Sequence, residues 1–236
     1  MKKIIEQLSV FLPAYNEEGS IVNTFNNVKI NLERIAAKWE IIIIDDGSKD
    51  KTGSLADKLA AGHENVRVIH HRPNRGYGAA LKSGLYGAQY PWIAFIDADG
   101  QFDFSHIDQF ITTQQKTGAD LVIGYYLHRQ VALYRKINTF AWQTVVYFLF
   151  GLNVKDIDCG FKLISKRVVD TIPPLESERG AFISSEFLIK AKKNNFKIVE
   201  LGVPHYPRQT GEGTGSDLNV IIKSFVDLFR LWQKLK

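Results

Sequence analysis

Two apolar runs in this chain lead directly into acidic residues, and this arrangement limits the fold more than any other feature. Residues 41–44 are all isoleucine, and residues 45–46 are both aspartate. Residues 92–96 form a second apolar run, which Asp97 and Asp99 follow. Such runs are typical of buried strands in a parallel sheet, and ligands bind beyond the carboxyl ends of these strands. The sequence therefore predicts an α/β fold with carboxylates at its binding edge.

The spacing of Asp97 and Asp99 suits a metal ion. The two residues lie two positions apart, so an extended backbone points both side chains the same way. Two hard oxygen ligands side by side are suited to Mg²⁺ or Mn²⁺, which also binds phosphate oxygens. The alternative is a turn in which the aspartates only cap the following backbone.

Length and composition indicate one folded domain. At 236 residues, with a hydrophobic share of 45%, the chain can form one large α/β domain with a sizeable core. Its single cysteine, Cys159, excludes an internal disulfide and is consistent with a reducing compartment. The N-terminus lacks the features of a signal peptide, and no apolar run has the roughly 18 residues of a membrane span. We therefore predict a cytoplasmic protein.

The net charge of +5 is mild but unevenly placed. Basic residues cluster before the apolar stretch 137–152 and along the last predicted helix, namely Arg129, Arg135, Lys136, Lys223, Arg230 and Lys234. The chain has no nucleic-acid-binding motif, so nucleic acid is not an expected partner. A phosphate-bearing molecule or an anionic lipid surface is favoured instead.

Strands and helices alternate in the first half of the chain. The predicted strands are 8–12, 40–44, 66–70, 92–96 and 120–124, and the predicted helices are 17–38, 51–62, 76–90 and 105–117. This alternation is typical of βαβ units and predicts a mainly parallel, twisted sheet flanked by helices.

The second half of the chain breaks this alternation. The predicted elements are helix 137–152, strand 161–165, helix 183–194, strand 197–201, a Gly-rich loop at 209–216 and an amphipathic C-terminal helix at 219–235. With no internal repeat and no linker, a single domain over 1–236 is expected. We divide it into a nucleotide-sugar-binding half, 1–124, and an acceptor-facing or membrane-facing half, 125–236.

The segments after the first two strands offer groups to a nucleotide. Residues 13–18 contain no glycine, which argues against a dinucleotide-binding dehydrogenase. Tyr15 and Glu17 offer an aromatic face and a carboxylate to a base or ribose, although a plain helix start is the alternative. Residues 45–48 have a similar alternative, a helix cap with a turn glycine. Residues 76–82 fail the spacing of either phosphate-binding glycine motif.

Taken together, these segments resemble family 2 glycosyltransferases of the GT-A fold. The residues that carry the resemblance are 12–17, 45–48, 74–76 and 97–101, in the order and spacing of that family, followed by 158–162 and 203–208. The resemblance covers nearly the whole chain. Within the family, the chain is most similar to polyprenyl (dolichyl) phosphate mannose or glucose synthases.

The resemblance implies a role for each matching residue. The nucleotide-binding residues would be Pro13, Tyr15, Glu17, Asp46, Asp97 and Ala98, and the Mg²⁺ or Mn²⁺ site would be Asp97, Asp99 and Gln101. The acceptor phosphate would be bound by Arg208, with Arg135 and Arg129. The residues expected to carry catalysis are Asp99, Arg208 and Asp158. The implied reaction moves a hexose from a GDP-mannose or UDP-glucose type of donor to a polyprenyl phosphate and inverts the anomeric carbon.

The acceptor decides whether a general base is needed. A lipid phosphate oxygen is already ionised near neutral pH, so arginines that position it matter more than a base. A saccharide hydroxyl, the alternative acceptor, would need a carboxylate base, and Asp158 and Glu186 are the candidates. A sugar nucleotidyltransferase is a less favoured alternative, because such enzymes begin with a Gly-rich basic loop that residues 13–17 do not resemble.

The two apolar helices of the second half have two interpretations. Residues 137–152 and 219–235 could lie in the interface of an anionic membrane, beside the lipid acceptor. They could also pack on the domain itself or, in a homo-oligomer, on a second subunit. We predict the first of these, which makes the protein peripherally associated with the cytoplasmic face of a membrane.

Overall fold

The computed structural model of the protein describes residues 3–127, 133–178, 180, 182–208 and 218–235. The side chains of residues 133–138 and 218–223 lie outside this description. The predicted Gly-rich loop at 209–216 also falls outside it.

One sheet of seven strands forms the centre of the described protein. The strands are β1 (Ile5–Ala14), β2 (Ala36–Asp45), β3 (Val66–His70), β4 (Trp92–Ile96), β5 (Leu121–Tyr126), β6 (Phe161–Ser165) and β7 (Ile198–Val203). Their order is β3-β2-β1-β4-β6-β5-β7. β6 runs antiparallel to both of its neighbours, while the other pairs are parallel. The prediction of a mainly parallel α/β sheet is therefore confirmed.

Helices cover both faces of the sheet. They are α1 (Ile21–Ile35), α2 (Thr52–Ala61), α3 (Tyr77–Gly87), α4 (Ile107–Thr117), α5 (Leu133–Phe150), α6 (Lys166–Thr171), α7 (Phe182–Lys193) and α8 (Leu218–Lys234). A short 3₁₀ turn, Phe104–His106, precedes α4.

The run of isoleucines is explained by the two core layers. Ile41 and Ile43 pack into the layer that contains α1 and α4. Ile42 and Ile44 pack into the opposite layer, with α3 and α7. Because helices exclude water from both faces of β2, successive side chains are apolar rather than alternating with polar ones.

Some predicted boundaries were wrong. The helix predicted at 17–38 begins at Ile21 and ends at Ile35. Residues 36–39 instead extend β2, because they pair with β1 from Ile5 onward. Alanine and lysine favour helices locally, but the added hydrogen bonds to a neighbouring strand outweigh that preference. The short helix α6 was not predicted. The division at residue 124 stays a prediction.

The sheet brings several chain segments to one edge. The parallel strands β1, β2 and β4 all end there, and Ala14 lies opposite Asp45 in the register. The antiparallel strand β6 begins at the same edge, since Phe161 pairs with Ile96. The backbone N–H of Tyr206, just after β7, donates to the carbonyl of Gln101 at 2.9 Å. Residues far apart in sequence therefore meet at this edge.

The two apolar helices of the second half each have a buried and an exposed side. In α8, Leu228 is 1% exposed whereas Phe229 is 52% exposed, so the predicted amphipathic helix is confirmed. In α5, Val146 is buried and Phe148 is 79% exposed. Within the described ranges, no helix is both long enough and apolar enough to cross a bilayer.

Candidate active site

Asp97 and Asp99 lie next to each other at the carboxyl end of β4. Burial, followed by the negative charge of Asp99, raises the pKa of Asp97 to about 7. Burial also raises the pKa of Asp99, whose side chain is 14% exposed. Each carboxylate therefore opposes ionisation of the other, and a cation bound between them would relieve the repulsion.

The pair fits a Mg²⁺ or Mn²⁺ ion that has a diphosphate as its partner. Among the described residues there is no group of three or more His, Cys, Asp or Glu side chains arranged to hold a metal. Mg²⁺ is commonly bound by one or two carboxylates and takes its other ligands from substrate phosphates and water. Two adjacent, poorly solvated carboxylates with raised pKa values match that donor set.

Gln101 connects the acidic pair to the segment after β7. Its backbone N–H donates to Oδ1 of Asp99 at 3.0 Å, which steadies that carboxylate. Its side-chain Nε2 donates to the carbonyl of Tyr206 at 3.0 Å. The predicted role of Gln101 as a metal ligand stays a prediction.

Arg208 brings a positive charge into the acidic crevice. Its guanidinium forms an ion pair with Glu17, and its Nη1 lies 4.0 Å from Oδ2 of Asp99. Burial raises the pKa of Glu17, and the charge of Arg208 partly opposes that shift. The structure therefore brings together three predicted site residues, which lie in the segments after β1, β4 and β7. A guanidinium in this position can release Glu17 and bind a phosphate instead.

The loops after β1 and β2 are bonded to each other. The N–H of Asn16 donates to Oγ of Ser48 at 3.0 Å, and the N–H of Glu17 donates to Oγ1 of Thr52 at 2.7 Å. Asn16 has a φ of 56°, a left-handed conformation that asparagine tolerates. These bonds leave the neighbouring Tyr15 ring 37% exposed at the surface. An exposed ring beside the acidic crevice can stack on a base.

The backbone around Ala98 is tied to the first strand. Its N–H donates to the carbonyl of Pro13 at 3.3 Å, and its carbonyl accepts from Oγ1 of Thr24 at 3.2 Å. The predicted nucleotide contacts of Pro13, Tyr15, Glu17 and Ala98 stay predictions, although these residues all surround the same edge.

Asp46 is buried and hydrogen-bonded within the fold, which the sequence did not indicate. It is 3% exposed, and its two oxygens accept four hydrogen bonds. The donors are Nδ2 of Asn74 and the backbone N–H groups of Arg75 and Gly76, with Nδ1 of His71 at 2.6 Å. Its carboxylate therefore shapes the loop before α3. A nucleoside contact from Asp46 stays a prediction, and it would require one of these bonds to break.

Asp45 also has a structural partner, His70. The backbone N–H of Ser48 donates to Oδ1 of Asp45 at 3.0 Å, and Nδ1 of His70 lies 2.8 Å from Oδ2. His70 and His71 were not predicted as part of this region. The sequence signal for them was two adjacent histidines at the end of a predicted strand.

The two candidate bases have different surroundings. Asp158 is exposed in the turn before β6, and its charge acts on the hydroxyl of Tyr77 at the crevice. Glu186 is 2% exposed, and its oxygens accept from Nζ of Lys190 at 2.6 Å and from the N–H groups of Glu176 and Ser177. Burial opposes ionisation, but these bonds outweigh it and hold the pKa of Glu186 below its usual range. These contacts give Glu186 a structural role, and its role as a base stays a prediction that they do not favour.

Three residues that contact or surround Asp97 were not predicted as site residues from the sequence, namely Tyr77, Gly160 and Lys162. The hydroxyl of Tyr77 donates to Oδ1 of Asp97 at 3.1 Å. A Cβ added to Gly160 would overlap the Asp97 carboxylate, so a larger residue there would have to displace that side chain. Lys162 is 1% exposed, donates to the carbonyl of Cys159 and lowers the pKa of Asp97 by its charge. The signal for Tyr77 was its position between two glycines, at 76 and 78.

Two predicted phosphate ligands cannot be located. Arg129 lies outside the described residues, and so does the side chain of Arg135 in α5. Their roles at an acceptor phosphate stay predictions.

The chain is similar to curated proteins along most of its length. Dolichyl-phosphate beta-glucosyltransferase from Saccharomyces cerevisiae is 30% identical over 220 residues, which are 83% of this chain and 66% of that protein. The human protein of the same name is 31% identical over 217 residues, 84% of this chain and 67% of that protein. The chain thus spans about two thirds of the length of these relatives.

Solved structures agree with the fold. A glucosyl-3-phosphoglycerate synthase from Mycobacterium tuberculosis, crystallised with Mn²⁺, UDP-glucose and phosphoglyceric acid, superposes with a TM-score of 0.72 at 20% identity. The match covers 97% of this chain and 80% of that one. This likeness confirms the predicted GT-A fold. The model of the family described as "Glycosyl transferase family 2" matches residues 9–172. The chain therefore belongs to glycosyl transferase family 2 and carries its transferase domain.

Proposed function

We propose that this protein transfers a hexose from a nucleoside diphosphate sugar to a polyprenyl phosphate, with inversion at the anomeric carbon and with Mg²⁺ or Mn²⁺ as cofactor. The observation that carries the proposal is the crevice where Arg208 lies between Glu17 and Asp99. A cation bound by Asp97 and Asp99 and a phosphate bound by Arg208 would lie side by side there. The relatives named as dolichyl-phosphate beta-glucosyltransferases support a lipid phosphate acceptor and favour glucose over mannose.

The donor would lie along the loops after β1, β2 and β4. The exposed ring of Tyr15 can stack on the base, while Asp97 and Asp99 would bind the metal. The bound metal would neutralise charge on the departing nucleoside diphosphate. The raised pKa values of Asp97 and Asp99 support metal-dependent donor binding, because two buried carboxylates without a cation would oppose the approach of a diphosphate.

The acceptor phosphate would be positioned by Arg208. An ionised phosphate oxygen can attack the anomeric carbon without a general base. The hydrogen bonds that Glu186 accepts from Lys190, Glu176 and Ser177 support a reaction that does not use it as one. Turning from Glu17 to an incoming phosphate keeps the guanidinium paired with an anion throughout. Arg208 would therefore hold the nucleophile rather than activate it.

A saccharide hydroxyl acceptor is the second candidate, and one observation favours it. Asp158 is exposed beside the crevice, close enough for its charge to act on Tyr77. A carboxylate in that position could accept a proton from an attacking hydroxyl. The two candidates therefore differ in whether Asp158 is required.

The surface formed by α5 and α8 suits a membrane interface. Phe140 and Phe148 on α5 are 71% and 79% exposed, and Phe229 on α8 is 52% exposed. The Trp142 and Phe225 rings lie 5.0 Å apart and join the two helices. Such aromatic side chains can enter the boundary between headgroups and acyl chains, which would bring the protein to a lipid acceptor.

The charge of α8 fits the same surface. The side chain of Arg230 is 71% exposed and that of Lys234 is 59% exposed. Each basic residue near an anionic surface contributes about 1 kcal/mol of binding free energy. At physiological ionic strength this attraction decays over a distance of roughly 8 Å from the surface. We therefore propose peripheral binding to an anionic bilayer, with apolar and electrostatic parts.

A radiolabelled transfer assay tests the reaction. UDP-glucose and GDP-mannose are compared as donors, and short-chain polyprenyl phosphate, the matching polyprenol and a soluble saccharide as acceptors. We expect glucose transfer to the phosphate alone, and loss of that transfer in Arg208→Gln with nucleotide binding largely retained. Arg167→Gln is the control, because Arg167 is 69% exposed and pairs with Asp120 instead. Transfer to the saccharide only, abolished by Asp158→Asn, would replace the lipid phosphate with a hydroxyl acceptor.

Liposome flotation tests the membrane surface separately. We expect the protein to float with anionic vesicles at low salt and less strongly at high salt. Phe148→Ser should weaken flotation, whereas Ile30→Ser should not, because Ile30 is 64% exposed but lies on α1. A wild-type protein that stays at the bottom of the gradient at low salt would remove the membrane proposal.

A further inference from the structure

Tyr77 contacts Asp97, one of the two carboxylates proposed to bind the metal. It is the first residue of α3, and its hydroxyl donates to Oδ1 of Asp97 at 3.1 Å. A tyrosine hydroxyl can donate to a carboxylate, whose ionised oxygens only accept. The geometry therefore makes Tyr77 the donor and Asp97 the acceptor.

The backbone on either side of Tyr77 is held by separate parts of the protein. Before it, the N–H of Gly76 donates to Oδ2 of Asp46 at 2.8 Å, and Gly76 has a φ of 95° that favours glycine. After it, the N–H of Ala79 donates to the carbonyl of Glu178 at 2.8 Å. A Cβ on Gly78 would lie 2.8 Å from the same carbonyl, so this approach also needs glycine.

The segment that receives α3 is itself fixed by a buried ion pair. Glu186 accepts the N–H groups of Glu176 and Ser177 at 2.8 and 2.9 Å. Lys190 lies 2.6 Å from Glu186 and also donates to the carbonyl of Pro174 at 2.6 Å. These contacts explain what the buried Glu186 does, since they hold the segment against which the start of α3 packs.

The other side of Asp97 is closed by Gly160. An added Cβ there would overlap Oδ2, so the backbone before β6 lies directly against the carboxylate. The Asp97 carboxylate is thus held between a hydroxyl on Oδ1 and a backbone surface near Oδ2. Its rotation is set by the start of α3 and by the segment that precedes β6.

We propose that Tyr77 is a positioning residue that orients the Asp97 carboxylate, together with Asp99, for a divalent cation. The inference rests on the metal dependence in the proposed function, but not on the acceptor. Groups that bond to metal ligands commonly change metal affinity by about 10–100-fold when they are removed. A hydroxyl that only filled a polar gap would affect stability without this effect on affinity.

The test measures Mn²⁺ affinity directly. Free Mn²⁺ is followed by electron paramagnetic resonance during titration of the full chain, in saturating UDP and, separately, GDP. We expect Tyr77→Phe to raise the apparent Kd for Mn²⁺ about 10-fold or more. In transfer assays, its KM for Mn²⁺ should rise far more than kcat falls. Tyr86→Phe is the matched control, because Tyr86 is on the same helix and its hydroxyl accepts the N–H of Leu175 at 2.9 Å, away from the acidic pair.

A second variant approaches the same carboxylate from its other side. Gly160→Ala should displace Asp97 from the hydroxyl and weaken Mn²⁺ binding as Tyr77→Phe does. Gly62→Ala is its control, since the nearest atom to an added Cβ there is 3.7 Å away. Folding of every variant is checked by its melting curve in a chelator.

Three results would overturn the role of Tyr77. The first is a Mn²⁺ affinity of Tyr77→Phe within twofold of that of the wild type. The second is a decrease in Mn²⁺ affinity in Tyr77→Phe that is no larger than the decrease in Tyr86→Phe. The third is a wild-type protein that binds no Mn²⁺ in the presence of either nucleotide. A wild-type protein that binds Mn²⁺ but transfers nothing to polyprenyl phosphate would reject only the proposed acceptor. The Mn²⁺ affinities would still decide the role of Tyr77.

Discussion

Asp46, at the end of β2, and Asp97, at the end of β4, follow equally apolar strands but have different surroundings. Asp46 accepts four hydrogen bonds, from His71, Asn74, Arg75 and Gly76. Asp97 accepts a hydrogen bond from the hydroxyl of Tyr77 and lies beside the charge of Asp99. Asp46 is thus surrounded by donors from the fold, whereas at Asp97 the hydrogen bond from Tyr77 and the charge of Lys162 do not offset burial and the charge of Asp99.

This difference shows which strand end is available for a cation. The donors around Asp46 fix the loop before α3 on its carboxylate. Around Asp97 and Asp99, burial and mutual repulsion raise both pKa values, so the folded protein bears a cost there. Groups that are poorly satisfied in the fold are frequent at functional sites, where a ligand supplies the missing interaction.

The largest expected effect is on catalysis. Asp99→Ala should lower sugar transfer by about 10³-fold or more, because one of two carboxylates for the metal is lost. The metal-free melting temperature should not fall, since the change removes a repulsive charge. Asp170→Ala, which replaces a carboxylate that is 58% exposed on α6, is the control for both assays. Wild-type activity of Asp99→Ala in saturating Mn²⁺ would contradict the metal assignment.

The opposite result is expected at the end of β2. Asp46→Ala leaves four donors without their acceptor, and we expect it to lower the free energy of unfolding by about 3 kcal/mol. Urea denaturation measures the change. Asp57→Ala should cost far less, because its carboxylate is 61% exposed. Similar unfolding midpoints for Asp46→Ala and Asp57→Ala would show that the hydrogen bonds to Asp46 do not stabilise the fold.

A pH series sharpens the comparison at Asp97. Its folded pKa of about 7 lies above the unfolded value of about 3.9, so folded Asp97 retains a proton that the unfolded chain releases between them. Its contribution to stability therefore falls as pH rises through that window. In a chelator, Asp97→Asn should melt close to wild type at pH 4.5 and clearly above it at pH 8.

Added Mn²⁺ supplies the control for that series. It should raise the melting temperature of the wild type at pH 8 and have little effect on Asp97→Asn. A constant difference between variant and wild type from pH 4.5 to 8 would argue against a raised pKa at Asp97.

The smallest expected effect concerns His70, the partner of Asp45. Burial opposes protonation, but hydrogen bonds to Asp45 and Asp57 outweigh it and raise the pKa of His70. Its contribution is full below the unfolded pKa of about 6.5 and is lost as pH rises through the higher folded value. His70→Gln should cost more at pH 5.5 than at pH 8.5, by less than about 1 kcal/mol. Thermal melts at the two pH values check this, and equal costs would exclude the ion pair.

Much of the fold could be predicted because buried segments have a local pattern of apolar residues that the sequence shows directly. The strands at 66–70, 92–96 and 161–165 were predicted with the bounds that the structure has. The strand at 92–96 is a wholly apolar run, and the other two are short segments rich in apolar residues that include Arg67, His70, Lys162 and Ser165. Short apolar segments of this kind can be identified from their neighbours in sequence. The ends of α1 were wrong because pairing between β1 and β2 extends a strand into residues that favour a helix.

The sequence by itself determined that carboxylates would follow buried parallel strands and meet at one edge, because apolar runs and their order record burial and connection. Only the tertiary structure decided which carboxylates would be satisfied. The donors to Asp46 come from about 30 residues away, Tyr77 reaches Asp97 across 20 residues, and antiparallel β6 brings Gly160 against the same group. Glu186, a plausible base in the sequence, became the centre of a buried bonding network for the same reason. Local patterns encode whether a residue is buried, but the donors that meet it depend on contacts between distant segments.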